Sequence, residues 1–169
     1  MRMIDPLLME FDREAATTRK VLSRVPANKL SWKPHPKSRT LGELAHHVAS
    51  IPAWIGRSLE PGGYDLAKGG LQAGEKEATG VESLLATFDD SVSVAKAAIA
   101  KLDDARAMGP WTLRHGDRTI MEMPRVALLR TILLNHSIHH RGQLTVYLRL
   151  LEVPLPAVYG PSADENPFG

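Results

Sequence analysis

The sequence predicts an all-α fold: a four-helix bundle with long crossover connections and a short β-hairpin before the last helix. Two observations predict it. Four stretches carry apolar residues at helical spacing, and the segments joining them are rich in proline and glycine. At 169 residues the chain suits one domain, read as residues 1–169 with an irregular tail over 154–169, and can bury a core without staples.

The first helix is expected from about Pro6 to Val25, with Leu7, Phe11, Ala15, Thr18 and Leu22 along one side. The segment from Pro26 to Arg39 holds three prolines and must connect; its Trp32 is expected to pack on the bundle. The second helix begins at Thr40, where Glu43 three residues on completes a capping-box pattern. It runs through Leu44, His47, Ile51 and Trp54 towards Leu59, with a kink or local break expected at Pro52. PGGYDLAKGG reads as loop. The third helix spans about Val81 to Leu102, striped by Leu84, Phe88, Val92, Ala95 and Ile99. Trp111 to Met121 reads as a hairpin around Gly116 and Asp117. Pro124 then opens the longest helix, reaching about Leu151. In the Pro/Gly-rich tail, Val158 and Tyr159 are the candidate anchors.

Composition removes several function classes. The chain has no cysteine, which excludes disulfides, zinc thiolate sites and a catalytic thiol of its own. Lys+Arg number 21 and Asp+Glu 19, a formal net charge of +2. The basic residues are interleaved with acids, so no nucleic-acid-binding face is expected. No apolar run approaches the roughly 18 residues of a membrane span, and Asp5, Glu10, Asp12 and Glu14 interrupt any signal-peptide core. The expected location is the cytoplasm.

The chemistry concentrates in histidine. The chain has seven, and the dense clusters are LAHHVAS and NHSIHHRGQ. His136 and His140 are four apart, about 40° around a helix axis, so both rings can meet one ion. Their stripe holds Leu129, Ile132, Leu133, Tyr147 and Leu151, an apolar inward face. His139 lies about 100° away on a more peripheral stripe. On the second helix, His47 shares its face with Leu44, Ile51 and Trp54, and His46 shares one with Gly42, Ser50 and Arg57.

Three imidazoles thus point inward: His47, His136 and His140. Burying them unpaired costs free energy, and protonated they would repel one another. A divalent cation bound to the neutral rings removes both costs, and three nitrogen ligands leave a position open, as in catalytic sites. Imidazole suits zinc, nickel, iron or copper, and spacing alone does not choose among them. A one-residue register error would exchange His47 for His46. Neither cluster has the HExxH spacing of a metalloprotease.

The segments TLGELAHHVASIPAW and PRVALLRTILLNHSIHHRGQLTVYLRLLEVPLPAVYGPSADE resemble the DinB/YfiT-like family of metal-dependent enzymes. The resemblance spans nearly the whole chain, and NHxxHHRGQ is its specific part. It implies a four-helix bundle, a homodimer and a three-histidine metal site, with the first ligand matching His47 and the HxxxH pair matching His136 and His140. Relatives with known activities include thiol-dependent S-transferases and a mycothiol-dependent isomerase. A similar function here would use an open metal site, a low-molecular-weight thiol and a small electrophilic substrate. The alternatives are a metal-dependent hydrolase and a non-catalytic metal-binding stress-response protein.

Around the ligands, Glu43 either orients His47 from one turn away or only caps its helix. Arg141 either binds an anionic substrate group or, as the favoured reading, pairs with a neighbouring helix. Gln143 either points into the site or satisfies buried backbone. Trp54 and Tyr147 either line a pocket or pack in the core, and Trp111 is a candidate cover for the site mouth. His35 and His115 are read as solvated. A closed structural site would need a fourth ligand, for which Asp164 and Glu165 are the candidates. Leu128, Val146 and Leu150 on the last helix would supply a dimer interface or face the third helix.

Overall fold

The computed structural model describes residues 1–59, 62–68 and 78–169. Pro61, Gly69 and Gly70 of the expected glycine-rich loop lie outside the described residues.

Helix α1 (Asp5–Leu22) buries Phe11, Ala15, Thr18 and Leu22 along one side, as its spacing requires. It ends three residues before the expected Val25. Arg24 and Val25 donate to the carbonyls of Val21 and Leu22, tightening the last turn, and Pro26 stops the helix. Helix α2 (Leu41–Ser58) opens with the capping box: Glu43 N donates to Thr40 Oγ1 at 3.1 Å and Thr40 N to Glu43 Oε2 at 2.7 Å. Of the kink or local break expected at Pro52, the break does not occur: α2 runs through it as one helix. Trp32, in the connection, meets Tyr147 edge-on at 5.7 Å, so this long crossover is pinned to the bundle.

Helix α3 (Val81–Ala100) buries Leu84, Phe88, Ala95 and Ile99 and packs closely on α2. Gly56 permits the approach, since a Cβ there would sit 2.8 Å from Val94 Cγ1 and 3.1 Å from its carbonyl oxygen. A short helix absent from the expected order, α4 (Asp104–Met108), follows; Asp103 caps it by accepting from Arg106 N at 2.7 Å.

The hairpin forms from β2 (Pro110–His115) and β3 (Arg118–Pro124), antiparallel with Gly116 at the turn at φ +58, and β1 (Tyr64–Asp65) extends it to a three-stranded sheet. β1 is the unexpected strand and pairs parallel to β2. Gly63, at φ +75, precedes it where a Cβ would meet the Thr112 carbonyl oxygen at 2.1 Å, so only glycine fits. Trp111 is not a cover over the histidines: it is 1% exposed, and its indole N–H donates to the Ser58 carbonyl at 2.7 Å, tying the sheet to the end of α2.

The last helix is continuous but not uniform. Its first turn, α5 (Arg125–Leu128), passes into a π-helical segment (Leu129–His136) and then α6 (Ser137–Leu150). Leu128 faces the core, fully buried, so it cannot contribute to an exposed interface; Val146 and Leu150 are each 57% exposed. The tail beyond is irregular yet anchored: Val158 packs against the core, and the Tyr159 hydroxyl bonds to Arg141 and Glu14.

The apolar interior falls into two clusters. One gathers Leu22, Leu44, Val48, Phe88, Leu144 and Leu148; the other gathers Phe11, Ile55, Ile99, Trp111, Leu129 and Leu134. Along the last helix His136 and His140 fall between Leu134 of the second cluster and Leu144 of the first, and on α2 His47 stands next to Val48 of the first. Among the described residues, no helix is long and apolar enough to cross a membrane.

Candidate metal centre

Two helices bring the histidines together. The capping box fixes where α2 starts, and so which residues face inward; His47 lies on its second turn. The π-helical segment closes at His136, and His140 follows one turn later on α6. An insertion of π geometry shifts the helical register and recurs at functional sites; here it ends at His136.

The ring nitrogens of His47, His136 and His140 converge, with one ligand atom from each lying within 4.8 Å of the others. His47 Nε2 and His136 Nε2 are 3.3 Å apart. Ring centroids are 4.5 Å apart for His47 and His140, 4.4 Å for His136 and His140, and 5.4 Å for His47 and His136, all edge-to-face. Metal–nitrogen bonds of about 2.0–2.1 Å at tetrahedral angles separate two ligand nitrogens by roughly 3.3–3.4 Å. The closest pair has that spacing. A hydrogen bond between two neutral imidazoles has a similar length, but it would not draw in a third ring.

Electrostatics keeps these rings neutral. Desolvation is the largest cause for each: it pushes His47 down to about 3 and His136 down to about 4, and it lowers His140. The neighbouring imidazoles add to the shift, and the guanidinium of Arg39 acts on all three. Arg39 had no motif to mark it. It stands just before the α2 cap, and its carbonyl accepts from the Tyr147 hydroxyl at 3.3 Å, which ties that turn to α6. Neutral imidazoles offer lone pairs, which is the state a metal requires.

In the unfolded chain these rings titrate near 6.5, whereas in the folded, metal-free protein they resist protonation until much lower pH. The unfolded state therefore binds more protons in the interval, and stability rises with pH there. We expect the contribution to be complete above pH 6.5 and to fade as pH falls towards 3. Urea midpoints at pH 7 and pH 5, above the carboxylate range, should show a drop in the metal-free wild type that shrinks in His47→Leu. Equal midpoints at the two pH values would contradict it.

The other candidates take separate places. Gln143 is exposed, but its Oε1 accepts from His140 Nδ1 at 2.7 Å; that bond puts the proton on Nδ1 and leaves Nε2 with its lone pair. Glu43 serves the cap of α2. Arg141 is buried and spends its guanidinium on Glu14 at 2.7 Å. Trp54 meets Tyr64 edge-on at 5.7 Å within the second cluster, and Tyr147 packs against the first. His46 is half-buried beside His47. His139 is exposed, with its ring 4.9 Å from that of His140. Asp164 is held by Arg149 and the Leu155 N–H, and Glu165 by Arg24 and the Ala157 N–H. Both tail carboxylates are thus engaged in closing the tail, not in supplying a fourth ligand.

The fold and site together define a helical bundle with a metal-competent cluster of three imidazoles. The chain belongs to the DinB family, whose sequence profile matches residues 2–166. It is 28% identical over 170 residues to the uncharacterized protein YrdA of Bacillus subtilis (strain 168), covering 96% of this chain and 91% of that protein. A DinB-like protein from Bacillus cereus ATCC 10987 has a similar fold, with a TM-score of 0.73 at 22% identity over 92% of this chain and 97% of that one. So does the DinB-like protein YjoA from Bacillus subtilis, at 0.69 and 19% over 91% and 98%.

Proposed function

We propose that His47, His136 and His140 hold one divalent transition metal, zinc or nickel, in an open site that serves a thiol-dependent transfer to a small electrophile. The observation that carries this reading is the convergence of three imidazoles, one ligand atom from each within 4.8 Å of the others, in rings that desolvation holds neutral. A bound divalent cation would supply Lewis acidity, favouring the thiolate form of a low-molecular-weight thiol. The chain's own part is positional. The three rings leave a coordination position open, and desolvation keeps them neutral for it. With no cysteine in the chain, the nucleophilic sulfur must come from a cosubstrate. A purely structural metal would need a fourth protein ligand, and the tail carboxylates considered for it are engaged elsewhere.

The test is cobalt-substituted protein observed by visible absorption. An open site predicts that azide and 2-mercaptoethanol each shift the cobalt bands, with the thiol adding a sulfur-to-metal charge-transfer feature. A cobalt spectrum indifferent to both would contradict it.

Gln143 should matter through His140. Losing such a partner costs about 10–100-fold in metal affinity, so Gln143→Leu should weaken zinc binding by that amount in a chelator competition. Gln143→Glu, which can still accept from Nδ1, should retain most of the affinity. Affinity unchanged in Gln143→Leu would show that the bond does not orient the ring.

Association into a homodimer is part of the proposal, with Val146 and Leu150 the exposed apolar residues of α6 available to it. Light scattering should give twice the chain mass, and Val146→Glu should restore the single-chain mass.

A further inference from the structure

A second concave site lies well away from the histidines. Gly56, at its edge, is nine residues along α2 from His47, about 13 Å at the helical rise. The cavity has a volume of about 320 Å³, at the small end of the roughly 300–1,000 Å³ of ligand pockets. Its floor is apolar, formed by Leu59, Ala98 and Leu102; its rim is cationic, formed by Lys101, Arg106 and Arg125.

Backbone carbonyls orient two of the rim cations. Arg125 Nη1 donates to the Arg106 carbonyl and Arg106 Nη1 to the Lys101 carbonyl, each at 3.4 Å. Carbonyl oxygens fix a guanidinium in place but leave its charge standing. Asp103 reaches Arg106 only at 4.0 Å, with both side chains about two-thirds exposed, a pairing that water largely screens. Asp104 accepts from the Met3 N–H at 2.7 Å. Arg2 donates to the carbonyls of Ala100 and Leu102 next to the cavity and pairs with Asp5. Among the described residues, Lys101 and Arg125 have no carboxylate partner. Below the rim, Leu59 and Leu102 are 8% and 5% exposed, so they form a wall and not a surface.

We propose that this cavity binds a small carboxylate with a short hydrocarbon tail. The guanidinium fork matches the two oxygens of a carboxylate, and the tail covers the leucine floor and removes its apolar surface from water. Inorganic phosphate would satisfy the rim and leave the floor wet. A neutral alcohol would cover the floor and leave the cations unbalanced. Both halves of the cavity are used only by a molecule that has both.

The test is a heteronuclear NMR titration of the full-length protein with hexanoate, with hexan-1-ol and inorganic phosphate in parallel. Hexanoate should move the resonances of Gly56, Leu59 and Leu102 and saturate, with the alcohol and phosphate each at least about tenfold weaker, the scale of one charge-assisted hydrogen bond. Arg125→Gln should weaken hexanoate by about tenfold and leave hexan-1-ol unchanged. Ala98→Leu, which fills the floor and keeps every cation, should block both. The spectrum of each variant reports its fold; if Arg125→Gln fails to fold, Lys101→Gln, an exposed position, carries the charge test. Hexanoate binding no tighter than hexan-1-ol, phosphate binding tighter than hexanoate, or hexanoate affinity indifferent to the charge variant would each overturn the proposal.

Discussion

Replacing Arg141 with leucine should lower the unfolding free energy by about 3–5 kcal/mol, the cost of leaving one member of a buried ion pair alone. Arg141 is 2% exposed and joins three parts of the chain. Its Nη2 lies 2.7 Å from Glu14 Oε2, its Nη1 donates to Thr18 Oγ1 at 3.1 Å and to the Glu14 carbonyl at 3.2 Å, and its Nη2 donates to the Tyr159 hydroxyl at 2.7 Å. Tyr159 passes the bond on to Glu14 at 2.8 Å and lies under the guanidinium at 5.2 Å. The substitution strands the half-buried Glu14 carboxylate and frees the tail together. Arg141→Lys keeps the charge but not the fork, and should lose less; Tyr159→Phe removes only the hydroxyl and should cost about 1 kcal/mol. Denaturant unfolding measures all three. A loss under about 1 kcal/mol in Arg141→Leu, the range of exposed pairs, would contradict the account.

Zinc or nickel should raise the melting temperature of the wild type and leave His47→Ala and His140→Ala unmoved. Free metal at a hundred times its dissociation constant adds about 2.7 kcal/mol to the folded state. For a chain of this length that corresponds to roughly 5–10 °C. The rings need little rearrangement, since His47 and His136 already stand at a separation one ion can span, and they need not shed protons at neutral pH. Differential scanning fluorimetry with and without metal reads the shift. An equal shift in wild type and His140→Ala would mean that the metal binds elsewhere.

Much of the fold was legible because local chemistry agreed with the final structure. Thr40 and Glu43 cap α2 as their spacing demands, Trp32 packs where an aromatic in a proline-rich connection has to go, and Gly116 turns the hairpin at positive φ. The features that could not be read are those made by partners distant in sequence. β1 is only two residues long and exists because β2 lies beside it. The π-helical segment has the same apolar pattern as an α-helix, and packing decides between them. Pro52 reads as a breaker, yet α2 continues through it for another six residues. Period alone leaves Leu128 between an interface and the third helix, and neighbourhood alone offers Trp111 as a cover; both turn inward.

The candidate site divides the same way. The convergence of His47, His136 and His140 followed from helical angles, because each lies on a strongly apolar face. The bond of Gln143 to His140 was within reach of spacing, since residues three apart on a helix are neighbours. Arg39 was not, because it acts across the start of one helix on rings carried by another.

The measurement that tests the central claim most directly is the metal content of untagged protein by elemental mass spectrometry, after incubation with zinc or nickel and removal of excess. The account predicts about one equivalent of transition metal per chain, as one three-imidazole site requires, and its loss in His47→Ala and His140→Ala. A wild type that remains metal-free after both incubations, or variants that retain the full equivalent, would contradict it.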